Sequence, residues 1–243
     1  MKITEEEVRR TYDRIALTYD KKRKEKLIYN DYNEVPAMLS FLRNIRGKKI
    51  LDLGCGSGIY AKILKQRGAK VYGIDISPKM IELAKKNVRK VDFKVGTVYK
   101  LPYNSETFDI VLASLVVHYF SNLNKALREI RRVLKKNGVF IFSSDNPVVN
   151  ITRRMKGKPR KYRIFGNYFK EGKLYEYWPR FGVRMPYQHF TFQTWIRTIV
   201  KNGFAIEDYI DTKTIKKAEK IDRSVYNFTS KAPWFFVMKV RKS

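Results

Sequence analysis

The 243-residue sequence has few of the features that mark a disulfide-rich, metal-binding or membrane protein. Its one cysteine, Cys55, excludes an internal disulfide and a metal site with several cysteine ligands. No apolar run approaches the ~18 residues that a helix needs to cross a bilayer. The charged first residues, Met1 to Tyr12, lack the apolar segment of a secretory signal. We therefore expect a cytoplasmic protein without a membrane anchor.

Acidic residues are scarce as well. The chain has 23 Asp and Glu against 52 Lys and Arg, which gives a net charge of +29. The excess is largest in residues 151–200, which carry 12 basic and 2 acidic residues. A Lys-rich thermophile surface usually balances Lys with Glu in ion-pair networks, and this chain does not. A surplus of this size favours association with a polyanion such as nucleic acid.

Short apolar runs alternate with helical patterns between residues 47 and 145. This order is typical of a buried parallel sheet with helices on both faces, so we predict a doubly wound α/β fold. The predicted strands are 49–53, 69–75, 91–97, 108–114 and 139–143, with later strands at 203–206 and 232–240. The predicted helices include 59–67, a helix that begins after Ser77, 122–136 and 191–202.

The remaining residues flank this core within what we predict to be a single domain. Residues 1–46 are predicted to be helical, because Thr4 and Glu7 form a capping pattern and apolar residues at helical spacing follow. Residues 146–190 are predicted to be irregular, basic and aromatic. Since that stretch is too long for an idle connection, we interpret it as a substrate cap, followed by a helix and the last strands in 191–243.

A loop with three glycines follows the first predicted strand, at Gly54, Gly56 and Gly58. Glycines let the backbone turn sharply and approach a ligand closely. In an open α/β sheet a ligand binds at the carboxyl ends of the strands, where the winding reverses. A dinucleotide fingerprint needs a glycine where Ile59 stands. Asp75, at the end of the second strand, can accept hydrogen bonds from ribose hydroxyls, which suits either NAD or S-adenosylmethionine.

Several segments together resemble the class I S-adenosylmethionine-dependent methyltransferases. They are residues 50–58 (ILDLGCGSG), 71–77 (VYGIDIS), 101–111 (LPYNSETFDIV) and 126–138 (ALREIRRVLKKNG). Residues 12–20 (YDRIALTYD) resemble the N-terminal lid of the ubiquinone/menaquinone-methyltransferase-like group. The resemblance covers about residues 8–145. It implies S-adenosylmethionine as the cofactor and a Rossmann-like sheet of seven strands whose last strand is antiparallel.

The same resemblance implies where the cofactor lies. The glycines would pass its methionine part, Asp75 would hold the ribose, and Ile76 and Met80 would pack on the adenine. Thr97 departs from the family pattern, which has Asp or Asn there for the adenine amino group. The implied cofactor-binding residues are Tyr19, Asp52, Gly54, Cys55, Gly56, Gly58, Asp75, Ile76, Met80, Thr97, Val98, Ser114 and Leu115.

Candidates for a catalytic role are few, because the chain has only two histidines. A base is needed only where the acceptor must lose a proton. His118 follows the fourth predicted strand, Asp145 and Asn146 end the fifth, and His189 could hang over the pocket from the end of the cap. Each also has a structural interpretation, as packing for the histidines and as turn chemistry for Asp145 and Asn146. No metal is expected.

The acceptor is predicted from residues 151–184, which hold eleven basic and two acidic residues. Eight aromatic residues are interleaved, and the densest basic run is 153–161. Basic side chains can neutralise phosphates while aromatic faces stack unpaired bases. We therefore predict a monomeric enzyme that methylates a base of ribosomal or transfer RNA.

Three alternatives remain open. They are a quinone or other small metabolite, a protein acceptor, and a non-catalytic RNA-binding module. The last leaves the glycine loop and Asp75 unexplained.

Overall fold

The computed structural model describes residues 2–154, 162–164 and 166–243. The α-helices are α1 (Glu5–Lys24), α2 (Val35–Ser40), α3 (Ile59–Gln66), α4 (Pro78–Asn87), α5 (Leu123–Val133), α6 (Pro147–Asn150), α7 (Phe192–Lys201) and α8 (Arg223–Thr229). A π-helical turn (Asn30–Glu34) leads into α2, and 3₁₀ turns lie at Val117–Tyr119 and Lys216–Lys220. The strands are β1 (Lys49–Leu53), β2 (Lys70–Asp75), β3 (Asp92–Val95), β4 (Phe108–Ala113), β5 (Leu134–Asp145), β6 (Thr152–Arg154), β7 (Tyr162–Ile164), β8 (Gly172–Trp178), β9 (Val183–His189), β10 (Phe204–Asp211) and β11 (Phe235–Lys242).

None of the helices in these ranges combines the length and the hydropathy that a bilayer span requires.

In the described part of the chain, seven strands form one sheet in the order β10-β11-β5-β4-β1-β2-β3. Neighbouring strands run parallel in the part of the sheet made by β5, β4, β1, β2 and β3. β11 lies between β5 and β10 and runs antiparallel to both. β1 pairs with β2 on one side and β4 on the other, so the winding reverses at β1. This order confirms the predicted Rossmann-like fold and places a ligand cleft beyond the carboxyl ends of β1 and β4.

The sheet is buried on both faces, as the continuous apolar strands predict. Ile50 and Leu51 are consecutive in β1, point to opposite faces and are both 0% exposed. Leu51 belongs to the cluster that includes Ile130 of α5 and Ile199 of α7. Ile50 belongs to the cluster under α2, α3 and α4. Each such side chain contributes about 1.5–3 kcal/mol by leaving water.

The predicted helix starts are confirmed. Thr4 caps α1 by accepting a hydrogen bond from the amide of Glu7 at 3.2 Å. Ser77 caps α4 in the same way, with the amide of Met80 at 3.0 Å. Thr191 caps α7. Each cap satisfies one of the amides that a helix leaves unpaired at its start, so these boundaries follow from local chemistry.

The helix predicted over 122–136 ends earlier, at Val133. The next residue, Leu134, pairs across the sheet with Phe108, and both side chains are 0% exposed. Burial in the sheet therefore takes over before the Asn-Gly turn that was expected to end the helix. The N-terminal helical region also stops early, at Ser40 rather than near Gly47.

Residues 146–190 are not irregular, contrary to prediction. They contain α6, a β6–β7 hairpin and a β8–β9 hairpin. In β9, Val183, Met185 and Tyr187 alternate at the two-residue period of a strand and pack under α1. Part of the basic run 153–161, namely residues 155–161, lies outside the described residues, as does Phe165.

Candidate functional site

A cavity of about 550 Å³ lies at the carboxyl ends of the parallel strands. Its floor comes from the glycine loop after β1 and from the residues that follow β2, β3, β4 and β5. Its roof comes from α1 and the β8–β9 hairpin. Residues of the roof that line it are Val8, Tyr12, Tyr19, Trp178, Phe181, Met185 and Tyr187. The cavity therefore occupies the switch point of the sheet and is covered from above.

The glycine loop brings backbone to the cavity surface. Gly54 has a φ of +69°, and a Cβ there would stand 2.4 Å from Val116 Cγ2, so a side chain has no room. Gly56 has a φ of +51° and would meet no atom within 4 Å. A ligand can thus approach the backbone at Gly56. Gly58 differs, since it lies against Val88 beyond α4 and not among the residues that line the cavity.

Asp75 is the polar group at the centre of the floor. Its carboxylate accepts hydrogen bonds from the amides of Gly56 and Ser77, each at 2.9 Å. Burial raises the pKa of Asp75 to about 6, against the opposing effect of these amides. A carboxylate has about four acceptor positions, so two remain for hydroxyl donors of a ligand. A ribose with its two adjacent hydroxyls suits this group.

The cavity is locally acidic in a strongly basic protein. Burial raises the pKa of Asp52 to about 7, and Asp52 Oδ2 has no hydrogen-bond partner among the described residues. Burial also raises the pKa of Asp145 to about 7. A ligand cation would offset these desolvation costs. Together with the open backbone at Gly56, these groups fit the sulfonium cofactor that the sequence resemblance implies.

A buried carboxylate fixes the end of β4. Glu34 accepts hydrogen bonds from the hydroxyls of Ser143 (2.6 Å), Tyr60 (2.8 Å) and Ser114 (2.9 Å). The amide of Leu115 donates to Ser143 Oγ at 2.9 Å, and Leu115 holds a φ of +50°. Such a backbone costs about 1–3 kcal/mol and persists only where its surroundings enforce it. Glu34 therefore positions Ser114 and Leu115, which both line the cavity.

His118 and Asp145 form a titratable pair at the β5 side of the cavity. His118 Nδ1 lies 3.8 Å from Asp145 Oδ2 and 3.4 Å from the hydroxyl of Ser144. Burial lowers the pKa of His118 to about 4, although the charge of Glu176 opposes this. The imidazole is therefore neutral at pH 7, beside a carboxyl that titrates near that pH. Such a pair can take up a proton from a bound molecule.

Aromatic side chains close the cavity above this pair. Tyr12 makes edge-to-face contacts with Tyr19, Tyr119 and Trp178, at centroid distances of 5.8, 5.7 and 6.4 Å. The hydroxyls of Tyr12 and Tyr119 lie 3.0 Å apart. Phe181 packs on Tyr19 at 5.6 Å. These rings give the space beside His118 flat, apolar walls.

The two parts of the roof are joined by polar contacts on their outer side. Glu7 of α1 pairs with Lys173 of β8 at 2.6 Å and accepts a hydrogen bond from the hydroxyl of Tyr175 at 2.9 Å. Because these groups are partly exposed, the contact contributes little to stability. It does fix the hairpin relative to α1, and hence the width of the cavity.

The structure brings most of the predicted site residues together. Those that line the cavity are Tyr19, Asp52, Gly54, Cys55, Gly56, Asp75, Ile76, Met80, Val98, Ser114, Leu115, His118 and Asp145. Burial raises the pKa of the Cys55 thiol well above its usual range, which agrees with a packing role rather than a nucleophilic one.

Gly58, Thr97, Asn146 and His189 are not among these residues. The side chain of Asn146 caps α6 by accepting from the amide of Val148 at 3.0 Å. His189 is 0% exposed, and its Nε2 lies 2.9 Å from the carbonyl oxygen of Tyr168. The expectation that His189 hangs over the pocket is therefore wrong, because its ring is used to pack the hairpin. Thr97 instead contacts α1.

Arg23 is a functional candidate that the sequence reasoning missed. It lies one turn after Tyr19 on α1, lines the cavity and has a side chain only 5% exposed. Its Nη1 pairs with Asp31 Oδ2 at 2.8 Å. A guanidinium has five N–H donors, so Arg23 can bind a ligand carboxylate in addition to Asp31. Among 52 basic residues, nothing local distinguished this one.

Comparisons with known proteins agree with this geometry. Residues 51–142 match the family described as a methyltransferase domain. The chain is 34% identical over 206 residues to an uncharacterised protein of Haemophilus influenzae, covering 78% of this chain and 80% of that one. It is 31% identical over 157 residues to the demethylmenaquinone methyltransferase of Thermotoga maritima, covering 64% of this chain and 68% of that enzyme.

A solved structure is also similar over nearly the whole fold. The S-adenosylmethionine-dependent methyltransferase of Mesorhizobium loti superposes with a TM-score of 0.77 at 25% identity, covering 88% of this chain and all of that one. The sheet order, the open backbone at Gly56 and the carboxylate of Asp75 are features of this chain that fit such a cofactor. The chain therefore belongs to the S-adenosylmethionine-dependent methyltransferases.

Proposed function

We propose that this methyltransferase acts on a small, flat, largely apolar acceptor that is held inside the cavity. The observation that carries the proposal is the aromatic roof, in which Tyr12, Tyr19 and Trp178 enclose the space beside His118 and Asp145. A cavity of about 550 Å³ lies in the range of small-molecule sites, about 300–1,000 Å³. The similarity to a demethylmenaquinone methyltransferase supports the same class of acceptor.

The cofactor site divides into groups with separate roles. When bound, S-adenosylmethionine supplies an activated methyl group on a sulfonium. Asp75 accepts hydrogen bonds from the ribose, and Arg23 neutralises the carboxylate of the methionine part. Gly56 leaves room for the ligand against the backbone. Ile76 and Met80 offer the apolar surface on which the adenine packs.

The His118–Asp145 pair receives the proton that the acceptor loses. A hydroxyl acceptor would have to release its hydrogen on methylation, and the pair would accept that proton. The pair lies in the cavity beneath the aromatic roof, and burial raises the pKa of Asp145 to about 7. A base with a pKa near the working pH is the most effective one. Because the two groups are close, the proton belongs to the pair rather than to either residue.

α1 and the β8–β9 hairpin act as two covers on a single domain. α1 and the β8–β9 hairpin meet through Val8, Ile15 and Met185 on the inside and through Glu7 and Lys173 on the outside. Opening of this contact would admit the acceptor, and closing would exclude water from the His118–Asp145 pair.

Two single alanine variants test the proposal, Trp178→Ala and its control Phe169→Ala. Trp178 lines the cavity, whereas Phe169 is 84% exposed and lies away from it. Methyl transfer into the solvent-extractable fraction of a cell extract should fall strongly in Trp178→Ala and stay near the wild-type rate in Phe169→Ala. Equal rates in Trp178→Ala and the wild type would contradict an acceptor site beneath the roof.

RNA is the second candidate acceptor, and a specific observation favours it. The net charge of +29 and the basic run at 153–161 suit a polyanion. The aromatic residues in and before the hairpin favour different acceptors. Trp178 and Phe181 line the cavity, which suits a small molecule, whereas Phe169 is exposed and could stack on a base of RNA. Charge is a property of the surface, whereas the acceptor is selected where the methyl group is transferred. The enclosed aromatic site therefore favours the small molecule.

A further inference from the structure

The adenine end of the cavity requires a hydrogen-bond acceptor from the protein. An adenine ring presents an exocyclic amino group with two hydrogens, and burial without a partner would cost it binding energy. The residues after β3 that line the cavity there are Gly96, Val98 and Tyr99. Gly96 and Val98 have no side-chain acceptor, and the hydroxyl of Tyr99 is engaged by the hydroxyl of Ser121 and the amide of Asn122. Thr97, between Gly96 and Val98, is not among the lining residues. A side-chain acceptor for this amino group must therefore come from another element.

Glu5, the first residue of α1, reaches this place. Glu5 lines the same cavity as Gly96 and Val98. Its Oε1 accepts a hydrogen bond from the hydroxyl of Thr97. That hydroxyl in turn accepts from the amide of Tyr99 at 3.2 Å. The hydroxyl hydrogen of Thr97 is thus donated to Glu5, and this hydrogen bond positions the carboxylate at the end of β3.

The helix start alone does not explain this arrangement. Acidic residues in the first turn of a helix are favoured by the helix dipole, which accounts for Glu5, Glu6 and Glu7 as a set. Glu6, however, pairs with Arg9 and Arg10. Glu7 pairs with Lys173 on the outside of the roof.

Glu5 differs from both of its neighbours. It makes no ion pair with the described residues, and its Oε2 makes no hydrogen bond with them. In a chain with 52 basic residues, this carboxylate is reserved for something other than a surface ion pair.

We propose that Glu5 accepts a hydrogen bond from the adenine amino group, with Thr97 as its positioning residue. The base is then recognised by the N-terminal helix and not by a side chain that follows β3. A carboxylate at this place favours a base with an amino group over a base with a carbonyl oxygen, because two acceptors repel each other. Specificity for adenine thus depends on the closed position of α1.

Binding measured by calorimetry without any acceptor tests this inference. The probes are S-adenosylhomocysteine and S-inosylhomocysteine, in which a carbonyl oxygen replaces the amino group. The wild type should bind the adenine form about 10- to 100-fold more tightly. Glu5→Gln, whose amide can both donate and accept, should bring this ratio close to one. Thr97→Val should lower this affinity ratio partly, since the carboxylate remains but loses the hydrogen bond that positions it.

Glu6→Gln is the matched control, because it removes a neighbouring carboxylate that is exposed and faces away from the cavity. It should keep the wild-type ratio. A wild-type ratio in Glu5→Gln, or a wild type that binds both probes equally, would overturn the inference. The ratio is internal to each variant, so a general loss of affinity does not disguise the result. Since no acceptor is present, the outcome is independent of the acceptor's identity.

Discussion

Replacing Asp75 by Asn should weaken cofactor binding and remove its dependence on pH. The side chain keeps its shape and one acceptor oxygen but loses the charge and the second acceptor. In the wild type the carboxylate already accepts the amides of Gly56 and Ser77, at 2.9 Å each, and it offers its remaining acceptor positions to the ribose hydroxyls.

The size of the effect follows from this geometry. A hydrogen bond to a charged group contributes about 1.5–3 kcal/mol. Loss of one such bond to the ribose predicts a rise in the dissociation constant of about 10- to 150-fold.

The direction of the pH effect follows from the raised pKa. In the free protein, burial raises the pKa of Asp75 to about 6. Ribose hydroxyls donate better to the ionised form, so binding lowers this pKa. Affinity should therefore be constant above about pH 6 and should fall as the pH drops below it, because the carboxyl must then release a proton to bind. Asp75→Asn should show no such fall.

Titration calorimetry from pH 5 to pH 8 measures both effects. The ligands are S-adenosylhomocysteine and its 2′-deoxy analogue, which lacks one ribose hydroxyl. The wild type should prefer the full ribose, and Asp75→Asn should lose most of that preference. Since the preference is a ratio within one variant, a disturbed glycine loop would not imitate it. An unchanged preference, or a wild-type affinity that is flat down to pH 5, would refute the assignment of Asp75 to the ribose.

The remaining predictions concern the same cavity. Gly54→Ala should lower the free energy of unfolding by about 2–4 kcal/mol, because its Cβ would collide with a valine side chain at a positive φ. Gly56→Ala should lower the free energy of unfolding by only about 1–2 kcal/mol and should mainly weaken cofactor binding. Thermal unfolding measures the stability of both variants, and calorimetry measures their cofactor binding. Equal destabilisation by the two substitutions would contradict the geometry. Arg23→Lys should weaken the binding of S-adenosylhomocysteine but not that of methylthioadenosine, which has no carboxylate. An equal loss of affinity for both ligands would show that Arg23 does not bind the carboxylate. The rate of methyl transfer should rise with pH through about 7, and Asp145→Asn should be slow and lack this inflection; His118→Gln should lose turnover at unchanged cofactor affinity.

The parts of the fold that were predicted correctly are set by local sequence. The apolar run at Ile50 and Leu51 fits a strand that is buried on both faces, and caps such as Ser77 stop and start helices through neighbouring atoms. The glycine loop and Asp75 are equally local, because their positions follow from the end of a strand. For these residues the sequence pattern and the tertiary structure require the same conformation.

The remaining parts depend on contacts between distant residues. Glu5 becomes a candidate only because α1 folds back onto the end of β3 and contacts Thr97. Arg23 lies at the cavity for the same reason, because it too is on α1. His189 and Asn146 lie outside the cavity for the converse reason, since Nε2 of His189 contacts a carbonyl oxygen before the hairpin and Oδ1 of Asn146 caps α6.

Composition bears on the acceptor only indirectly. A charge of +29 describes how the whole surface attracts polyanions, and it says nothing about the walls of one cavity. Those walls come from α1 and the β8–β9 hairpin. The strand β8 was difficult to predict because it lacks a two-residue alternation, since Tyr175, Glu176 and Tyr177 are consecutive exposed residues.

The most direct test of the account is transfer of a labelled methyl group from S-adenosylmethionine by the wild-type protein. The assay mixture contains unmodified ribosomal and transfer RNA transcripts together with a small-metabolite extract, and it is divided by size before and after nuclease treatment. The account predicts label in the small-molecule fraction, unaffected by nuclease. Label that stays with full-length RNA and leaves it after nuclease treatment would contradict the enclosed acceptor site and establish an RNA methyltransferase.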